Sequence, residues 1–261
     1  MEYLAPLRSE LKLKILLSLL SGEKKISELK TEIDVRETTI LHVLKDFEAE
    51  NLTTKTAGTY KLTSLGLLTA QIGKEAAEAA EVLEKFKDFW LQHDITALPA
   101  SLMSKIGALK EATLIRTDTL ELDKVYETYL QILMPSNRVI GISPIFHPDY
   151  VKAIADIIGQ GNTVELILTT PVLNKIYSMV ETTPIKSAIE NEKLKIYLQE
   201  GLKVALTVTE KNFSLGLFNL NGEYDDRMDL ISLSPHAIHW GEQLFLEYLK
   251  TSRRLTPETV A

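Results

Sequence analysis

Residues 36–63 have the sequence RETTILHVLKDFEAENLTTKTAGTYKLT, whose hydrophobic period changes near Leu52. Before this point apolar residues recur every three or four positions, which predicts a helix from about Glu37 to Asn51. After it, two β-prone runs flank residues 57 and 58, Ala-Gly, which predicts a hairpin. The apolar stripe of the predicted helix consists of Ile40, Val43, Leu44 and Phe47.

Two more helices are predicted before this stretch. Apolar residues at helical spacing from Ser9 to Leu20 indicate a buried helix that Gly22 ends. A shorter helix follows over residues 26–32, and residues 34–36 form a tight turn. Helix, short helix, turn, helix and hairpin are, in this order, typical of a winged helix-turn-helix, so residues 1–65 are predicted to bind double-stranded DNA.

The exposed face of the third helix and the hairpin supply the predicted contacts to DNA. Arg36, Thr38, Thr39 and His42 lie early on the helix, where they would meet the edges of bases. Lys45, Lys55 and Lys61 would contact phosphates. The alternative is that all are solvated polar side chains of a small helical domain. The assigned residues are Arg36, Thr38, Thr39, His42, Lys45, Lys55 and Lys61.

This part of the chain also resembles the recognition helix and wing of bacterial and archaeal winged-helix repressors. Their pattern is roughly T-[VI]-x-x-x-L-x-x-L-E-x-x-G-L followed by Y-x-L-T-x-x-G, and residues 39–52 and 60–66 are similar to it. Phe47 stands where Leu is usual, and Asn51 where Gly is usual. Asn51 fits because Asn also accepts the left-handed conformation that ends a helix.

Charge and composition permit DNA binding without indicating it. The chain of 261 residues has a formal net charge of −7, yet residues 1–65 hold 10 basic and 10 acidic residues, so the acidic excess belongs to the remainder. A neutral first domain can still present a basic face to phosphates. With no cysteine, no apolar run of membrane-spanning length and no signal-peptide pattern, the protein is expected in the cytoplasm, away from membranes.

A long helix is predicted to follow the first domain, from Ser64 to about His93. Its apolar residues recur every 3.5 positions on average, which is typical of a coiled-coil seam. Residues 66–96 are therefore interpreted as a linker that pairs two copies into a homodimer, with packing inside one chain as the alternative. The residues of the seam are Leu65, Leu68, Ile72, Ala76, Ala79, Leu83, Phe86 and Trp90.

Residues 97–250 are predicted to form an α/β domain with a mixed, mostly parallel sheet, and residues 251–261 a flexible tail. Short β-branched runs alternate with helical stretches, an order that favours right-handed crossovers. The predicted fold of the whole chain therefore combines an α+β winged helix, a linker helix and an α/β domain that serves sensing or oligomerisation. Predicted helices run from about Leu122 to Leu133, from Pro148 to Ile158, from Pro171, and from His236 to Leu249.

Two resemblances concern this C-terminal domain. The hairpin over residues 203–218 resembles the one that carries the H-x-K-x4-D motif of phospholipase D-like domains, with Lys203 at the Lys position. Gly201 and Val208 stand at the His and Asp positions, which implies a similar shape without catalysis. The whole arrangement resembles a methanoarchaeal regulator family, on residues 138–150, RVIGISPIFHPDY, and residues 239–242, HWGE.

Three strand-to-helix junctions suggest a site for a small anionic effector. Pro148, Pro171 and Pro235 sit in predicted first turns, and helix N-termini gathered at the carboxyl edge of a parallel sheet would attract an anion. The alternative is that these residues only begin helices. The predicted lining is Arg116, Thr117, Ser143, His147, Thr169, Thr170, Ser232 and Ser234.

The sequence indicates a dimeric, effector-responsive transcription regulator and not an enzyme. No catalytic residues are assigned, and no cofactor is expected because no nucleotide-binding or hydrolase motif occurs. His236 and His239 lie three residues apart, but without a third ligand nearby they are interpreted as structural, so no metal is expected. The alternatives are a winged-helix module that binds protein, and a phosphodiester-processing enzyme with an accessory winged helix.

Overall fold

Apolar side chains gather in separate cores that divide the chain into two units, Met1–Ala80 and Glu81–Ala261. The computed structural model describes residues 6–117, 124–133 and 136–259. The combination of an N-terminal helical unit and a C-terminal mixed sheet confirms the predicted fold class. None of the helices in these described ranges has the length and apolar character needed to cross a membrane.

The first unit consists of helices packed on a small sheet, as the winged-helix prediction requires. Ser9 caps the first helix by accepting a hydrogen bond from Lys12 N at 3.4 Å, and Gly22 follows it with φ +140°. The buried residues of the first three helices, together with Leu52 and Tyr60, form its core. Its elements are α1 (Glu10–Leu20), β1 (Lys24–Lys25), α2 (Ile26–Ile33), α3 (Glu37–Ala49), β2 (Thr53–Thr56), β3 (Thr59–Leu62) and the start of α4 (Ser64–Lys85).

The two chain reversals that follow α3 use the left-handed backbone conformation. Asn51, which ends the third helix, has φ 58°, the conformation expected for the residue that replaces the usual Gly. Ala57 and Gly58, between β2 and β3, have φ 51° and 84°, as a two-residue hairpin turn of type I′ requires. The predicted hairpin is confirmed, and β1 adds a third strand beside β3.

The long helix after the hairpin is shorter than predicted. α4 ends at Lys85, Phe86 leaves helical geometry with φ −114° and ψ 28°, and α5 (Lys87–Gln92) begins anew. Phe86 and Phe89 are both buried at the break, and Trp90 Nε1 donates to the carbonyl of Val82 at 3.2 Å. The prediction of one uninterrupted helix to His93 was therefore wrong.

The second unit is built on a mixed sheet with helices on both faces. In the described residues the sheet has eight strands in the order β11-β7-β6-β5-β8-β9-β10-β4. Its strands are β4 (Thr113–Arg116), β5 (Arg138–Ser143), β6 (Thr163–Leu168), β7 (Leu194–Leu198), β8 (Val204–Thr209), β9 (Phe213–Leu217), β10 (Met228–Ser232) and β11 (Arg253–Arg254). Its helices after α5 are α6 (Ala100–Met103), α7 (Lys124–Leu133), α8 (Pro148–Gly159), α9 (Thr170–Tyr177), α10 (Thr182–Glu190) and α11 (Pro235–Leu249).

Parallel pairing is confined to three neighbouring strands. β5, β6 and β7 pair in parallel, and every other described pair is antiparallel. The sheet is mixed as predicted, but "mostly parallel" was wrong, because β8 and β9 form a hairpin and β10 returns directly beside them. The start of the α7 prediction, residues 122 and 123, lies outside the described residues.

The two faces of this sheet have different covers. α11 packs closely on one face, since a Cβ on Gly241 would lie 2.7 Å from side-chain atoms of both Val208 and Phe213. Trp240 Nε1 donates to the carbonyl of Leu102 at 3.0 Å, which fixes the same helix to α6. The other face meets α7, α8, α9 and α10, whose apolar residues share a core with β5, β6 and β7.

The predicted flexible tail is partly structured. β11 pairs with β7, and Leu255 is 4% exposed, with its N–H donating to the carbonyl of Ile196 at 2.8 Å. The prediction was therefore wrong for residues 253–255, because an apolar side chain and a strand edge hold this segment to the sheet. Residues 260 and 261 lie outside the described ranges.

Candidate nucleic-acid interface and ligand cavity

One face of α3 is polar and exposed, and the opposite face is the core of the first unit. Ile40, Leu44 and Phe47 are fully buried. The polar residues follow one another at helical spacing on the other side, so they form one continuous surface. Arg36, Thr38, Thr39, His42 and Lys45 are all exposed.

The turn before α3 positions Arg36 at the start of the exposed polar surface. Asp34 adopts the left-handed conformation with φ 53°, and Arg36 follows as the N-cap residue with extended backbone. The carbonyl of Arg36 accepts from Thr39 N at 2.9 Å, so the first helical turn is closed. Arg36 therefore stands at the start of α3 beside Thr38 and Thr39.

The acidic residue in the middle of α3 is neutralised from inside the same unit. Asp46 forms an ion pair with Lys12 of α1 at 3.0 Å and lies 3.7 Å from His42 Nδ1. Its hydrogen bond from Lys12 is the main cause that lowers the pKa of Asp46. α3 can thus approach an anionic partner without an unpaired carboxylate at this position.

The three-stranded sheet adds cationic side chains on both of its faces. Directly opposite residues of antiparallel strands share a face, and Lys25 pairs with Thr59, which lies two residues from Lys61. Lys25 and Lys61 are exposed on that face. Lys55 is opposite Tyr60 on the other face, with its Nζ 5.1 Å from the centre of the Tyr60 ring.

Lys25 is an interface candidate that the sequence analysis missed. A two-residue strand carries no detectable period, so no pattern in the sequence placed Lys25 beside the hairpin. Its N–H donates to Glu28 Oε2 at 2.6 Å, which ties the strand to the first turn of α2.

In the second unit, a cavity of about 340 Å³ lies between the sheet and the helices α7 to α10. Most of its lining is aliphatic and comes from α8, α9, α10 and strands β5 to β7. At the end near β8, β9 and β10 the lining becomes polar and aromatic. The polar side chains there include those of Tyr129, Tyr150, Thr207, Ser214, Tyr224 and Asp229.

Asp229 is the central polar group of this cavity. It is 4% exposed, and its Oδ2 accepts from Ser214 Oγ at 2.5 Å, while its Oδ1 has no hydrogen-bond partner. Burial raises the pKa of Asp229 to about 7, against the opposing effect of the Ser214 hydrogen bond. A carboxyl group in this setting would be ionised only partly at neutral pH.

The tyrosines around Asp229 remain neutral. Tyr129 donates or accepts a hydrogen bond of 3.0 Å with Thr207 Oγ1, and burial raises the pKa of Tyr129 to about 12. Burial also raises the pKa values of Tyr150 and Tyr224, and the negative charge of Asp229 adds to both shifts. The rings of Tyr129 and Tyr150 lie 4.4 Å apart, centre to centre.

Of the eight residues predicted to hold a ligand, two line this cavity. Ser143 and His147 belong to its described lining and the other six do not. Ser143 Oγ donates to the carbonyl of Ile145 at 2.8 Å, and His147 caps α8 by accepting from Asp149 N at 3.3 Å. Thr169 and Thr170 lie at the same edge of the sheet, at the start of α9.

The other four do not join them, which corrects the predicted site. β10 runs opposite to β5, so Ser232 and the α11 cap Ser234 lie at the far edge of the sheet. Arg116 is at the same edge as Ser143, but β4 is four strand positions from β5, roughly 19 Å at ~4.8 Å per strand. Thr117 follows Arg116, with its N–H donating to the carbonyl of Arg227 at 2.9 Å.

The helix N-termini at this edge already carry carboxylates of the chain. Glu200 Oε1 accepts from Thr170 N at 2.9 Å, and Asp149 lies in the first turn of α8. The N-cap of α9 is Thr169, whose Oγ1 accepts from Val172 N at 3.5 Å. These groups oppose the predicted anion, since like charges at one site repel.

Asp229 and the tyrosines near it were missed. A signal existed: Asp229 is a charged residue between Met228 and Leu230 in a strand whose neighbours in sequence are apolar. Charged residues are rarely buried in a strand, and those that are often belong to a functional site. The tyrosines come from three distant parts of the chain, so only the fold brings them together.

At the hairpin that resembles phospholipase D-like domains, the side chains offer no nucleophile. Val208 is buried and Gly201 has φ +69° in an exposed turn. Lys203 forms an ion pair with Asp94 at 2.8 Å, and its hydrogen bond is the main cause that lowers the pKa of Asp94 to about 2.

Comparisons with known proteins match both units. Residues 5–86 match the family model described as Methanogenesis regulatory protein FilR1, N-terminal domain, and residues 122–251 match the model of the middle domain of the same protein. Methanogenesis regulatory protein FilR1 of Methanothrix harundinacea (strain 6Ac) is 30% identical over 251 residues. These cover 95% of this chain and 56% of that protein, so the chain spans little more than half the length of this relative.

The solved structures with a similar backbone fold have low sequence identity to this chain. TrmBL2, described as an archaeal chromatin protein with a novel mode of DNA binding, has 13% identity and a TM-score of 0.45, with 92% of each chain covered. The phospholipase D family member Nuc of Salmonella typhimurium has 12% identity and a TM-score of 0.43, over 56% of this chain and 99% of that one. Likenesses at this level carry no argument about function. Two domain models of the same regulatory protein, however, match the chain in the order of its two units, so each unit is similar to a domain of Methanogenesis regulatory protein FilR1.

Proposed function

We propose that the protein is a DNA-binding transcription regulator of the cytoplasm whose first unit contacts the duplex and whose second unit binds a small effector. The observation that carries the first part is the exposed polar face of α3, opposite a fully buried apolar face. In a winged helix this element enters the major groove. Arg36, Thr38, Thr39 and His42 would then meet base edges.

The small sheet supports the same proposal. Lys25 and Lys61 on its outer face, and Lys55 near its tip, would meet phosphates on either side of the groove. Such contacts release counterions, so binding would weaken as salt concentration rises. Lys45, later on α3, would add one more phosphate contact.

The test is recovery of genomic DNA fragments by the purified protein, sequenced before and after selection. The parent protein is expected to enrich a site, and Arg36→Ala with Thr39→Ala to lose that enrichment. Each lost base contact should weaken specific binding by about 1–3 kcal/mol. Lys186→Ala, an exposed cationic residue of α10, serves as the control with the same kind of charge loss.

Two other results are informative. Equal enrichment by the parent and the double variant would refute the assignment of these residues to bases. No enrichment by the parent even at low salt, where phosphate contacts are strongest, would contradict DNA binding by the free protein. A winged-helix module that binds protein would then be the better account.

Pairing of two copies through α4 is part of the proposal. Leu65, Leu68 and Ile72 follow at spacings of three and four residues and are 38%, 64% and 55% exposed. Large apolar side chains at this spacing on one helix fit a seam with a second helix. A two-fold pair would present two recognition helices to two half-sites.

The effector site is placed in the cavity of the second unit. Its volume of about 340 Å³, apolar wall and few convergent polar groups are the usual properties of a small-molecule site. Phosphodiester hydrolysis, the enzymatic alternative, would need a nucleophile that Gly201 and Val208 do not supply.

A further inference from the structure

The chemistry of the effector cavity is set by one unpaired atom. Asp229 Oδ1 is buried and has no hydrogen-bond partner, while Oδ2 of the same carboxyl group is engaged by Ser214. A buried acceptor without a donor is costly, and the cost is removed when a donor reaches it. Because Asp229 belongs to the cavity lining, a bound molecule can supply that donor.

In the described part of the chain, no cationic side chain neutralises Asp229 at this place. Among the described residues that line the cavity, none is Lys or Arg. The charge of Asp229 acts on the neutral phenols of Tyr129, Tyr150 and Tyr224. The backbone N–H of Leu230, which helps to lower the pKa of Asp229, is a dipole and no counter-charge. A buried carboxylate surrounded in this way is complementary to a cation, which also interacts favourably with the faces of aromatic rings.

The sheet beneath is shaped to keep this space. A Cβ on Gly216 would lie 2.5 Å from the hydroxyl of Tyr224, so only glycine allows the phenol to lie against β9. At Gly141 a Cβ would lie 3.1 Å from the Leu166 side chain and from the Leu206 carbonyl, which also favours glycine there. Away from this polar end the wall is aliphatic, with Ile154, Val172 and Ile185 among its residues.

We infer that the cavity binds a small amphipathic amine, whose ammonium group bonds to Asp229 Oδ1 among the tyrosines and whose hydrocarbon part lies against the aliphatic wall. The inference rests on the proposed effector role of the second unit and specifies the class of the effector. A charged N–H donor to a carboxylate makes a stronger bond than a neutral hydroxyl. A carboxylate ligand would be repelled.

The test compares three probes of equal chain length, hexylamine, 1-hexanol and hexanoate, by titration calorimetry at pH 8 with the full chain. Hexylamine is expected to bind at least about tenfold more tightly than hexanol, because a hydrogen bond between charged partners is worth more than a neutral one. Asp229→Asn should remove this preference and leave hexanol affinity within about twofold of the parent. Asp156→Asn, at an exposed position of α8 outside the cavity lining, is the matched control and should leave all three affinities unchanged.

A second variant shows where the probes bind. Ile154→Trp fills the aliphatic part of the cavity and should weaken hexylamine and hexanol together; urea unfolding of each variant verifies that it is folded. Equal affinity for hexylamine and hexanol, or a preference for hexanoate, would overturn the amine while leaving the cavity as an effector site. If no probe binds the parent, the amine and the effector role both fall, whereas DNA binding is judged separately by fragment recovery.

Discussion

Asp229 is a residue whose ionisation should lower the stability of the folded protein as pH rises. Its pKa in the folded chain is raised to about 7 from a reference value of 3.8. Below about pH 4 the group is protonated in both the folded and unfolded states and has no effect. As pH rises from 4 to 7, the unfolded chain ionises first, so stability is lost, by roughly 4 kcal/mol in total.

Asp229→Asn should abolish this loss. The free energy of unfolding of the variant, measured in urea, is expected to gain on that of the parent between pH 4 and pH 8 by up to about 4 kcal/mol. The phenols of Tyr129, Tyr150 and Tyr224 face the same carboxyl group, but their pKa values are raised and they stay neutral in this range.

Asp226→Asn makes the same substitution at an exposed position, so its pH profile should follow that of the parent. Parallel profiles for Asp229→Asn and the parent would contradict the raised pKa of Asp229. Adding hexylamine at pH 8 should restore stability to the parent more than to Asp229→Asn, since only the parent offers the amine a carboxylate.

Single residues differ in how far the sequence reveals them. The exposed positions of Arg36, Thr39 and His42 follow from the period of α3 alone, because a helix that buries Ile40 and Phe47 must expose the opposite side. The partners of Asp229 lie on β9, α7 and α8 and in the loop before β10. No local period links such residues, so the cavity could not be predicted.

Gly66 joins two elements of the first unit. Its place in the pattern Y-x-L-T-x-x-G has a steric cause, because a Cβ there would lie 1.9 Å from the carbonyl oxygen of Leu52. Thr63 supports the same junction: its Oγ1 donates to the carbonyl of Asn51 at 2.6 Å and accepts from Gly66 N at 3.0 Å. The start of α4 is thereby fixed to the end of α3.

Gly66→Ala should therefore destabilise the first unit by about 1–3 kcal/mol, the usual cost of forcing an added methyl group into a packed site. Urea unfolding followed by circular dichroism measures the change. Gly159→Ala is the matched control, since a Cβ at Gly159, the last residue of α8, meets nothing within 4 Å. That change should be neutral or stabilising by up to about 1 kcal/mol. An unchanged stability of Gly66→Ala would contradict the steric account.

Elements with a strong local signal were predicted well. α1, α3, the hairpin β2–β3 and the hairpin β8–β9 lie within a few residues of their predicted bounds, because each has its own hydrophobic period or turn. β1 and α10 were missed: two residues show no period, and the helix starting at Thr182 follows α9 too closely to separate by pattern. The helical spacing of apolar residues continues through Phe86 to Trp90, so spacing did not reveal the break at Phe86.

For the molecule as a whole, sequence predicted the order of domains better than the order of strands. The alternation of strands and helices predicted parallel pairing, which the structure has between β5 and β6 and between β6 and β7. The place of β4 beside β10 depends on contacts between residues more than 100 positions apart, such as Leu114 with Leu230. Pairing at this distance leaves no trace in local composition.

If two copies pair through α4, charged substitutions on its exposed stripe should abolish the dimer. Leu68→Glu with Ile72→Glu places two charges on the exposed stripe of α4 and should leave the protein monomeric at concentrations where the parent is dimeric. Sedimentation equilibrium measures the mass directly. Leu220→Glu, at a side chain that is 72% exposed, controls for added charge and should leave the dimer intact. A parent that is monomeric, or a double variant that stays dimeric, would contradict pairing through this stripe.

The two edge strands of the large sheet influence whether molecules of this protein associate by strand pairing at high concentration. In the part of the chain that the structure describes, the sheet ends at β4, four residues long, and β11, two exposed arginines. Long, flat, apolar edges are what recruit strands from neighbouring molecules into fibres. A short, charged edge strand offers few backbone groups for hydrogen bonding to a strand of another molecule, and its charge repels a second copy. The edge strands of this sheet therefore disfavour pairing with strands of neighbouring molecules, and the self-association proposed for this protein uses the helix α4 instead.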